Sequence, residues 1–255
     1  MIKRLLIANR GEIACRIMRT CRDMGIDTVA VYSSADRFAK HVREADQAYY
    51  IGEAPSSQSY LCIDRIIEVA KQSQADAIHP GYGFLSENTQ FAIACADAGI
   101  VFVGPSASAM GSMASKSDAK ALMANADVPL IPGYYGDNQD PAFLKQQATD
   151  MGCPLLIKAA AGGGGKGMRV VDSIDQFDAA LASAITEANN SFGDTKMLLE
   201  KLIVNARHVE VQVITDSQGN GLYIGDRDCS VQRRHQKVIE ECPAPGLSDA
   251  LRKTM

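Results

Sequence analysis

The 255-residue sequence lacks the cysteine and histidine spacings that mark metal and disulfide sites. It contains no CxxC pair and no HxxxH pair, and its four histidines are scattered. Seven cysteines are an odd number, and several lie inside apolar helix or strand patterns. We therefore expect reduced, mostly buried thiols and a reducing compartment. No structural zinc site is predicted, and no metal ligand is assigned within the sequence.

The sequence also lacks long apolar runs and an excess of basic residues. No stretch is long enough to span a bilayer, and residues 1–8 enter a strand-like run without a leader pattern, so no membrane association is expected. The net charge of -4 argues against nucleic acid as the main partner. The 46% of hydrophobic residues is typical of a folded globular protein.

Residues 3–104 alternate short apolar runs with amphipathic stretches of helical period. Turn glycines such as Gly25 and Gly99 separate these segments. The pattern is that of repeated βαβ units and predicts an open, doubly wound parallel sheet. The predicted strands are 5–8, 27–32, 75–79 and 100–103, and the predicted helices are 12–24, 59–71 and 87–98.

The pattern changes after a helical stretch at 106–125 and a cluster of proline and glycine at 129–141. Beyond it, strands follow one another in pairs, which predicts an α+β arrangement with antiparallel strands. The predicted strands are 154–158, 168–171, 196–200, 207–215 and 221–226, with a hairpin turn at 216–220. The predicted helices are 142–151, 174–189 and a final one that Ser248 would cap.

The segment Ala161-Gly-Gly-Gly-Gly-Lys-Gly-Met168 is the most informative one. A dinucleotide fingerprint needs a helix directly after the loop, but residues 168–171 are strand-like, and a Walker A loop needs Ser or Thr after Lys166. A glycine hairpin between two strands can close over phosphates, because backbone N–H groups approach where a Cβ would block them. A plain exposed turn is the alternative.

Two further segments point to phosphate and adenine. Lys158 ends the apolar strand that enters the glycine loop, where its ammonium could bind phosphate or simply reach solvent. Glu200 and Lys201 follow a strand and lead into an extended hinge, whose backbone could read an adenine edge, although such a pair is also common on surfaces.

Polar residues gather in the last third of the sequence. Strict alternation at 207–213 predicts an apolar core face with Val209, Val211 and Val213, and a polar face with His208, Glu210 and Gln212. The run 226–237 is rich in basic side chains but has no interleaved aromatics, which favours a small anionic substrate over nucleic acid. The polar strand face could equally be a solvated surface.

The loop His79-Pro-Gly-Tyr-Gly-Phe-Leu-Ser-Glu87 follows a predicted parallel strand, at the edge where open α/β sheets bind ligands. A loop packed under a neighbouring domain is the alternative. Its counterpart, Ala8-Asn-Arg-Gly-Glu12, has a single glycine, so a nicotinamide cofactor is disfavoured.

Taken together, these motifs resemble the biotin carboxylase family of ATP-grasp ligases. The resemblance extends from Ile2 to the last residue and rests on the segments 7–14, 79–88, 162–169, 207–212 and 227–237. It implies a Rossmann-like N-terminal domain at 1–113 and an incomplete ATP-grasp domain at 114–255, with a glycine lid subdomain at about 133–203. Residues 25–32 and 133–140 look nearest to the methylcrotonyl-CoA carboxylase group, with the propionyl-CoA and acetyl-CoA groups left open.

In this family ATP phosphorylates bicarbonate, carboxyphosphate yields carbon dioxide, and N1 of biotin attacks it. The resemblance implies ATP, magnesium or manganese, bicarbonate, and biotin as the substrate on a carrier. It implies a biotin carboxyl carrier domain, a carboxyltransferase subunit and a homo-oligomer as partners, in the cytoplasm or the mitochondrial matrix. The family's metal glutamates, bicarbonate base and biotin arginine come after residue 255, so a fragment that is inactive alone is expected.

The resemblance also assigns roles to residues of this chain. Lys237 would stabilise charge on bicarbonate or the transferring phosphoryl group. The implied phosphate contacts are Lys116 and Lys158, and the implied lid is Gly162, Gly163, Gly164, Gly165, Lys166 and Gly167, followed by Met168. The implied adenine contacts are Glu200, Lys201 and Ile203, and the implied pocket lining is His208, Gln232 and His235.

Two other functions fit parts of the sequence. Another ATP-grasp ligase, of the carbamoyl-phosphate synthetase type, would share the lid and the adenine hinge but not the Gln-Arg-Arg-His-Gln-Lys run that ends at Lys237. An inactive nucleotide-binding or interaction module is the alternative outside the enzymes.

Overall fold

The structure is a computed structural model. It describes residues 1–114, 116–161, 167–216, 218–233 and 236–255, and only the backbone of residues 114, 116 and 117. The chain divides into two compact units, Met1–Ala114 and Ser115–Met255.

The first unit contains a five-stranded sheet in which every strand pair is parallel. Its strands are β1 (Arg4–Ile7), β2 (Asp27–Ser33), β3 (Gln47–Gly52), β4 (Ala77–His79) and β5 (Val101–Phe102), in the order β3-β2-β1-β4-β5. Its helices are α1 (Gly11–Asp23), α2 (Lys40–Glu44), α3 (Ile63–Gln72), α4 (Thr89–Asp97) and α5 (Ala107–Ala114). This order is that of a doubly wound sheet, so the predicted fold class is confirmed.

Both faces of this sheet are buried. Leu6 and Ile78 pack in one apolar cluster, whereas Leu5 and Ala77, one residue away in each strand, pack in another. Helices on both sides of a parallel sheet require such strands to be apolar throughout. The short apolar runs of residues 3–104 therefore reflect burial on two sides.

Local signals explain where the helices begin. Asn88 caps α4, because its side-chain Oδ1 accepts a hydrogen bond of 2.9 Å from the N–H of Phe91. The helix predicted from residue 59 was placed too early: Ser56–Gln58 form a 3₁₀ turn, Ser59 has non-helical dihedral angles of -146° and -90°, and α3 begins at Ile63. The patterns also gave no indication of α2 or β3.

The second unit contains a four-stranded antiparallel sheet. Its strands are β6 (Gly133–Tyr134), β7 (Leu155–Ala159), β8 (Met168–Val171) and β9 (Met197–Lys201), in the order β6-β9-β7-β8. Its helices are α6 (Lys116–Asn125), α7 (Pro141–Met151) and α8 (Phe177–Phe192). One face packs Ile157 and Leu199 against Leu144 of α7 and Leu181 of α8. Because side chains alternate along a strand, the opposite face carries Lys158 and Glu200.

A three-stranded antiparallel sheet follows, made of β10 (Val209–Thr215), β11 (Gly221–Arg233) and β12 (Gln236–Glu241). The predicted apolar core face of β10 was wrong: Val209 and Val211 are half-buried, and Val213 is 60% exposed. A register shift between Gln212 and Val213 interrupts the alternation. The final helix, α9 (Asp249–Thr254), is capped as predicted, since Ser248 Oγ accepts a bond of 3.2 Å from the Leu251 N–H.

None of the helices described by the structure has the length and apolar character needed to cross a membrane. All seven cysteines are free, but fewer of them are buried than predicted. Three of them are buried, Cys21, Cys95 and Cys229, and Cys242 is exposed.

Candidate functional site

Several residues predicted from the sequence lie outside what the structure describes. These are Gly162, Gly163, Gly164, Gly165, Lys166 and His235, together with the side chain of Lys116. Lys116 is the first residue of α6. Their proposed roles remain predictions.

The strands on either side of the glycine loop form the expected hairpin. β7 and β8 pair antiparallel, with Lys158 opposite Met168. Gly167 closes the loop with a φ of +68°, a conformation that favours glycine, and its carbonyl accepts a 2.9 Å hydrogen bond from the Ala159 N–H. A Cβ on Gly167 would lie 2.8 Å from the Ala159 Cβ. The hairpin ends are therefore tightly fixed.

Glu200 connects two lysines on the polar face of the four-stranded sheet. Its side chain is 5% exposed, and its Oε1 lies 2.8 Å from Nζ of Lys120, whereas its Oε2 bonds to Nζ of Lys158. Lys120 also donates a 3.1 Å bond to the Tyr135 hydroxyl, which donates to the Ile131 carbonyl. We name Lys120, Lys158, Glu200 and Tyr135 the Glu200 cluster.

Burial and ion pairing act in opposite directions in the Glu200 cluster. Burial raises the pKa of Glu200, but the hydrogen bonds from the two lysines outweigh it and hold the pKa below its ordinary value. Burial likewise lowers the pKa of Lys120, but its bonds to Glu200 and Tyr135 raise the pKa above its ordinary value overall. Glu200 and Lys120 are therefore both charged at neutral pH.

The two residues after Glu200 differ in what they offer a ligand. The ammonium of Lys201 donates to the carbonyls of Gly152 and Cys153, at 3.0 and 3.1 Å, and its backbone N–H donates to Pro132. Ile203 is 53% exposed. The Lys201 side chain thus fastens β9 to the turn between α7 and β7.

A second cluster brings the polar face of β10 together with the basic run. Glu210 bonds to Lys237 Nζ through Oε2 and accepts a 2.6 Å bond from Arg227 Nε at Oε1. Arg227 also donates from Nη2 to Gln212 Oε1 at 3.1 Å. The bonds from Lys237 and Arg227 lower the pKa of Glu210 to about 2, and the bond with Glu210 raises the pKa of Lys237. We name Glu210, Arg227 and Lys237 the Glu210 cluster.

His208 and Gln232, predicted to line one pocket, are adjacent. Gln232 Nε2 lies 2.6 Å from His208 Nδ1 and donates a 2.7 Å bond to the Cys229 carbonyl. The amide nitrogen is a donor, so His208 Nδ1 is the acceptor of this bond. The backbone N–H of His208 also donates a 2.9 Å hydrogen bond to Ser230 Oγ.

The Glu210 cluster does not fit a metal ion. One oxygen each of Glu210 and Glu240 and the sulfur of Cys229 lie within 4.8 Å of one another. However, Glu210 already binds two cations, Arg227 Nε lies 3.7 Å from Glu240 Oε2, and burial raises the pKa of the Cys229 thiol. Magnesium and manganese prefer free oxygen ligands, so the cluster is better described as an ion-pair network.

In the first unit, the loop predicted to bind ligand borders a cleft of about 380 Å³ lined by Asn9, Arg10, Gly11, Ile13, Tyr82, Gly83 and Phe84. Asn9 Nδ2 donates to the carbonyls of Pro80 and Tyr82, at 2.8 and 2.7 Å, which ties the loop to the end of β1. Arg10 is engaged by Asp36 at 3.0 Å, so its charge is balanced within the unit.

Sequence reasoning missed Lys120 and the pairing of Glu210 with Lys237. The one signal for Lys120 is its position four residues after Lys116, which places the two on neighbouring turns of α6. Glu210 was placed on a polar strand face, but nothing in the sequence identifies its partner across β11.

Comparison with known proteins accounts for nearly the whole chain. Residues 1–110 match the biotin carboxylase N-terminal domain, and residues 115–255 match the ATP binding domain of the carbamoyl-phosphate synthase L chain. The mitochondrial methylcrotonoyl-CoA carboxylase subunit alpha of Dictyostelium discoideum is 55% identical over 254 residues, which are 100% of this chain and 36% of that protein. The chain thus spans about a third of that relative.

Two solved structures are also similar. The Campylobacter jejuni biotin carboxylase, in a β-γ-ATP complex, is 51% identical with a TM-score of 0.93, and the match covers 100% of this chain and 58% of that one. The biotin carboxylase domain dimer of Hydrogenobacter thermophilus 2-oxoglutarate carboxylase, with MgADP, ADP and bicarbonate, is 44% identical with a TM-score of 0.91, over 99% and 56% of the two chains. The chain therefore consists of a biotin carboxylase N-terminal domain followed by an ATP binding domain of the carbamoyl-phosphate synthase L chain family.

Proposed function

We propose that the protein carrying this chain is the biotin carboxylase component of an acyl-CoA carboxylase. The enzyme transfers the γ-phosphoryl group of ATP to a bicarbonate oxygen, which gives ADP and carboxyphosphate. Carboxyphosphate splits into phosphate and carbon dioxide. N1 of the carrier-bound biotin gives its proton to the released phosphate and forms a bond to the carbon of carbon dioxide. The observation that carries this proposal is the pair of lysine-carboxylate clusters, on Glu200 and Glu210, in a chain that also has the glycine hairpin.

ATP, bicarbonate, and magnesium or manganese are the proposed cofactors and substrates, and the solved relatives in complex with nucleotide and bicarbonate support them. Lys116 and Lys158 bind phosphate, residues 162–168 cover it, and Glu200, Lys201 and Ile203 border adenine. His208, Gln232 and His235 line the nucleotide pocket. Metal ions neutralise phosphate charge when bound, and no ligand for them is assigned within this chain.

Lys237 is proposed to stabilise negative charge on bicarbonate or the transferring phosphoryl group. Its bond to Glu210 raises its pKa, so the ammonium stays protonated and acts as a fixed positive charge instead of a base. Arg227 holds Glu210 in turn and is itself held by Gln212, which positions the ammonium before substrate arrives.

The finer assignments rest on the relatives. The 55% identity to a methylcrotonoyl-CoA carboxylase subunit supports methylcrotonyl-CoA as the acyl-CoA substrate. A separate carboxyltransferase subunit is proposed to bind this substrate. A biotin carboxyl carrier domain and a homo-oligomer are proposed as well, the latter supported by the domain dimer of the 2-oxoglutarate carboxylase. We propose the domain division at 1–113 and 114–255, with the lid subdomain at about 133–203.

The test compares Lys237→Ala with the wild-type whole protein, with any sequence beyond residue 255 retained. We expect carboxylation of biotin to fall by about a hundredfold or more, and the dissociation constant of Mg-ATP to change by less than about fivefold, because the charge acts in the transition state. Lys253→Ala, on the exposed side of α9, is the matched control. Equal losses of turnover and ATP affinity would contradict this role.

An ATP-grasp ligase of the carbamoyl-phosphate synthase type is the second candidate. The match of residues 115–255 to the ATP binding domain of that enzyme favours it. Hydrolysis of ATP that depends on bicarbonate and is stimulated by biotin, but not by ammonia, would select biotin carboxylase. Stimulation by ammonia alone would select the second candidate.

A further inference from the structure

The Glu200 cluster contains more positive charge than its carboxylate balances. Two ammonium groups share one carboxylate, so the three groups carry a net charge of about +1 at neutral pH. The three side chains are largely shielded, with exposed fractions of 21% for Lys120, 24% for Lys158 and 5% for Glu200. A shielded cluster with excess positive charge favours binding of an anion.

The two lysines are held differently. Lys120 contacts three groups: Glu200, the Tyr135 hydroxyl at 3.1 Å, and the Tyr135 ring, whose centroid is 4.3 Å from Nζ. Among the described residues, Glu200 is the one group within hydrogen-bond distance of Lys158 Nζ. Lys158 also lies next to the glycine hairpin, because it pairs with Met168. Lys158 is therefore the lysine that can leave Glu200, and Lys120 is the one that stays.

We propose that Lys120 is a positioning residue that lets Lys158 exchange its bond from Glu200 to a nucleotide phosphate. While Lys158 is bound to phosphate, Lys120 stays on Glu200 and keeps the buried carboxylate compensated. A buried carboxylate that loses its last cation is strongly destabilised, so without Lys120 the exchange would be unfavourable and Lys158 would stay on Glu200. This inference rests on the proposed binding of ATP phosphate at Lys158.

The exchange makes a prediction that a direct phosphate contact by Lys120 would not make. Lys120→Met should weaken Mg-ATP binding by about tenfold or more when Glu200 is present. In the Glu200→Gln background the same substitution should change binding by less than about threefold, because a neutral amide needs no compensating cation. Lys120→Arg should bind within about threefold of wild type, since it keeps the charge on Glu200.

The experiment is a double-mutant cycle of Lys120→Met and Glu200→Gln in the whole protein, with the dissociation constant of Mg-ATP measured by calorimetry. Lys145→Met is the control, because Lys145 forms an exposed ion pair with Asp178 on the same unit and lies outside the site. Wild-type affinity in Lys120→Met, or an equal loss in both backgrounds, would overturn the inference. Loss of affinity in a folded Lys120→Arg variant would overturn it as well.

A second measurement needs no variant and covers the case in which Lys120→Met does not fold. Trace acetylation of lysines in the wild-type protein, with and without Mg-ATP, should show a change of at least about threefold in the reactivity of Lys158 and little change at Lys120. Equal reactivity of Lys158 in the two conditions would overturn the exchange. Failure of the wild-type protein to bind Mg-ATP would refute the proposed function, and this inference with it.

Discussion

Substitution of Gly167 by alanine tests how tightly the base of the glycine hairpin is closed. Gly167 has a φ of +68°, and an added Cβ would lie 2.8 Å from the Cβ of Ala159, whose N–H donates to the Gly167 carbonyl. Both the backbone angle and the contact oppose a side chain. We expect Gly167→Ala to destabilise the second unit.

The size of the effect follows from two contributions. The left-handed conformation costs a non-glycine residue about 1–2 kcal/mol. Relieving the contact with Ala159, which is fully packed at 1% exposure, adds about 1–3 kcal/mol of overpacking. The expected total, about 2–5 kcal/mol, is a large fraction of the 5–15 kcal/mol that stabilises a typical domain.

Gly193→Ala separates the two contributions. Gly193 has a φ of +69° at the end of α8, and an added Cβ would meet nothing within 4 Å. Gly193→Ala is therefore destabilised by the cost of the left-handed backbone conformation alone. The effect of alanine on the unfolded chain is common to both variants. Urea unfolding should show Gly167→Ala to be less stable than Gly193→Ala by about 1–3 kcal/mol. Equal stability of the two variants would refute the reasoning.

Two further predictions concern acid and a helix cap. Bonds from their partners lower the pKa of Glu210 and that of Asp228 to about 2 each. Each carboxylate therefore stabilises the fold above the unfolded-state pKa near 4, and this contribution is lost as the pH falls towards 2. Urea unfolding from pH 6 to pH 2 should show the loss, and Glu210→Gln should make the free energy of unfolding depend less steeply on pH. Asn88→Ala should destabilise the first unit by about 0.5–2 kcal/mol in thermal unfolding, because the Phe91 N–H loses its cap, and an unchanged midpoint would contradict that role.

The fold could be predicted where local periodicity reports burial. Short apolar runs separated by amphipathic helices indicated the parallel sheet, since strands such as β1 are buried on both faces. The glycine hairpin was predicted for a similar reason, because two apolar strands flank it directly. The Ser248 and turn-glycine signals acted within a few residues and were equally readable.

The features that the sequence did not predict, helix α2 and the interruption of β10, depend on contacts between residues far apart in the chain. α2 is only five residues long and carries His41, which is fully buried with Nε2 3.3 Å from the Val31 carbonyl. A histidine surrounded by charged neighbours gives no sign of such burial in the sequence. The interruption of β10 after Gln212 is likewise a property of its pairing with β11.

The two clusters show which part of a site the sequence can supply. Alternation placed Glu210 on the polar face of its strand, and strand position placed Lys158 and Glu200 near the glycine loop and the hinge, so candidate groups could be named one at a time. The pairs they form could not: Lys237 lies 27 residues from Glu210 in the chain, and Lys120 lies 80 residues from Glu200. Pairing over such distances is set by strand register and helix packing, which no local pattern encodes.

This pairing changes the chemistry expected of each lysine. In the Glu200 cluster two ammonium groups share one carboxylate, so one positive charge is available to an anion. The Glu210 cluster also has two cations on one carboxylate, but Arg227 Nε lies 3.7 Å from Glu240 Oε2, so the cluster and Glu240 together have balanced charges. A balanced cluster holds its ammonium in place without attracting an anion strongly in the ground state. Lys237 is therefore suited to charge that develops during reaction, and Lys158 to charge that ATP brings with it.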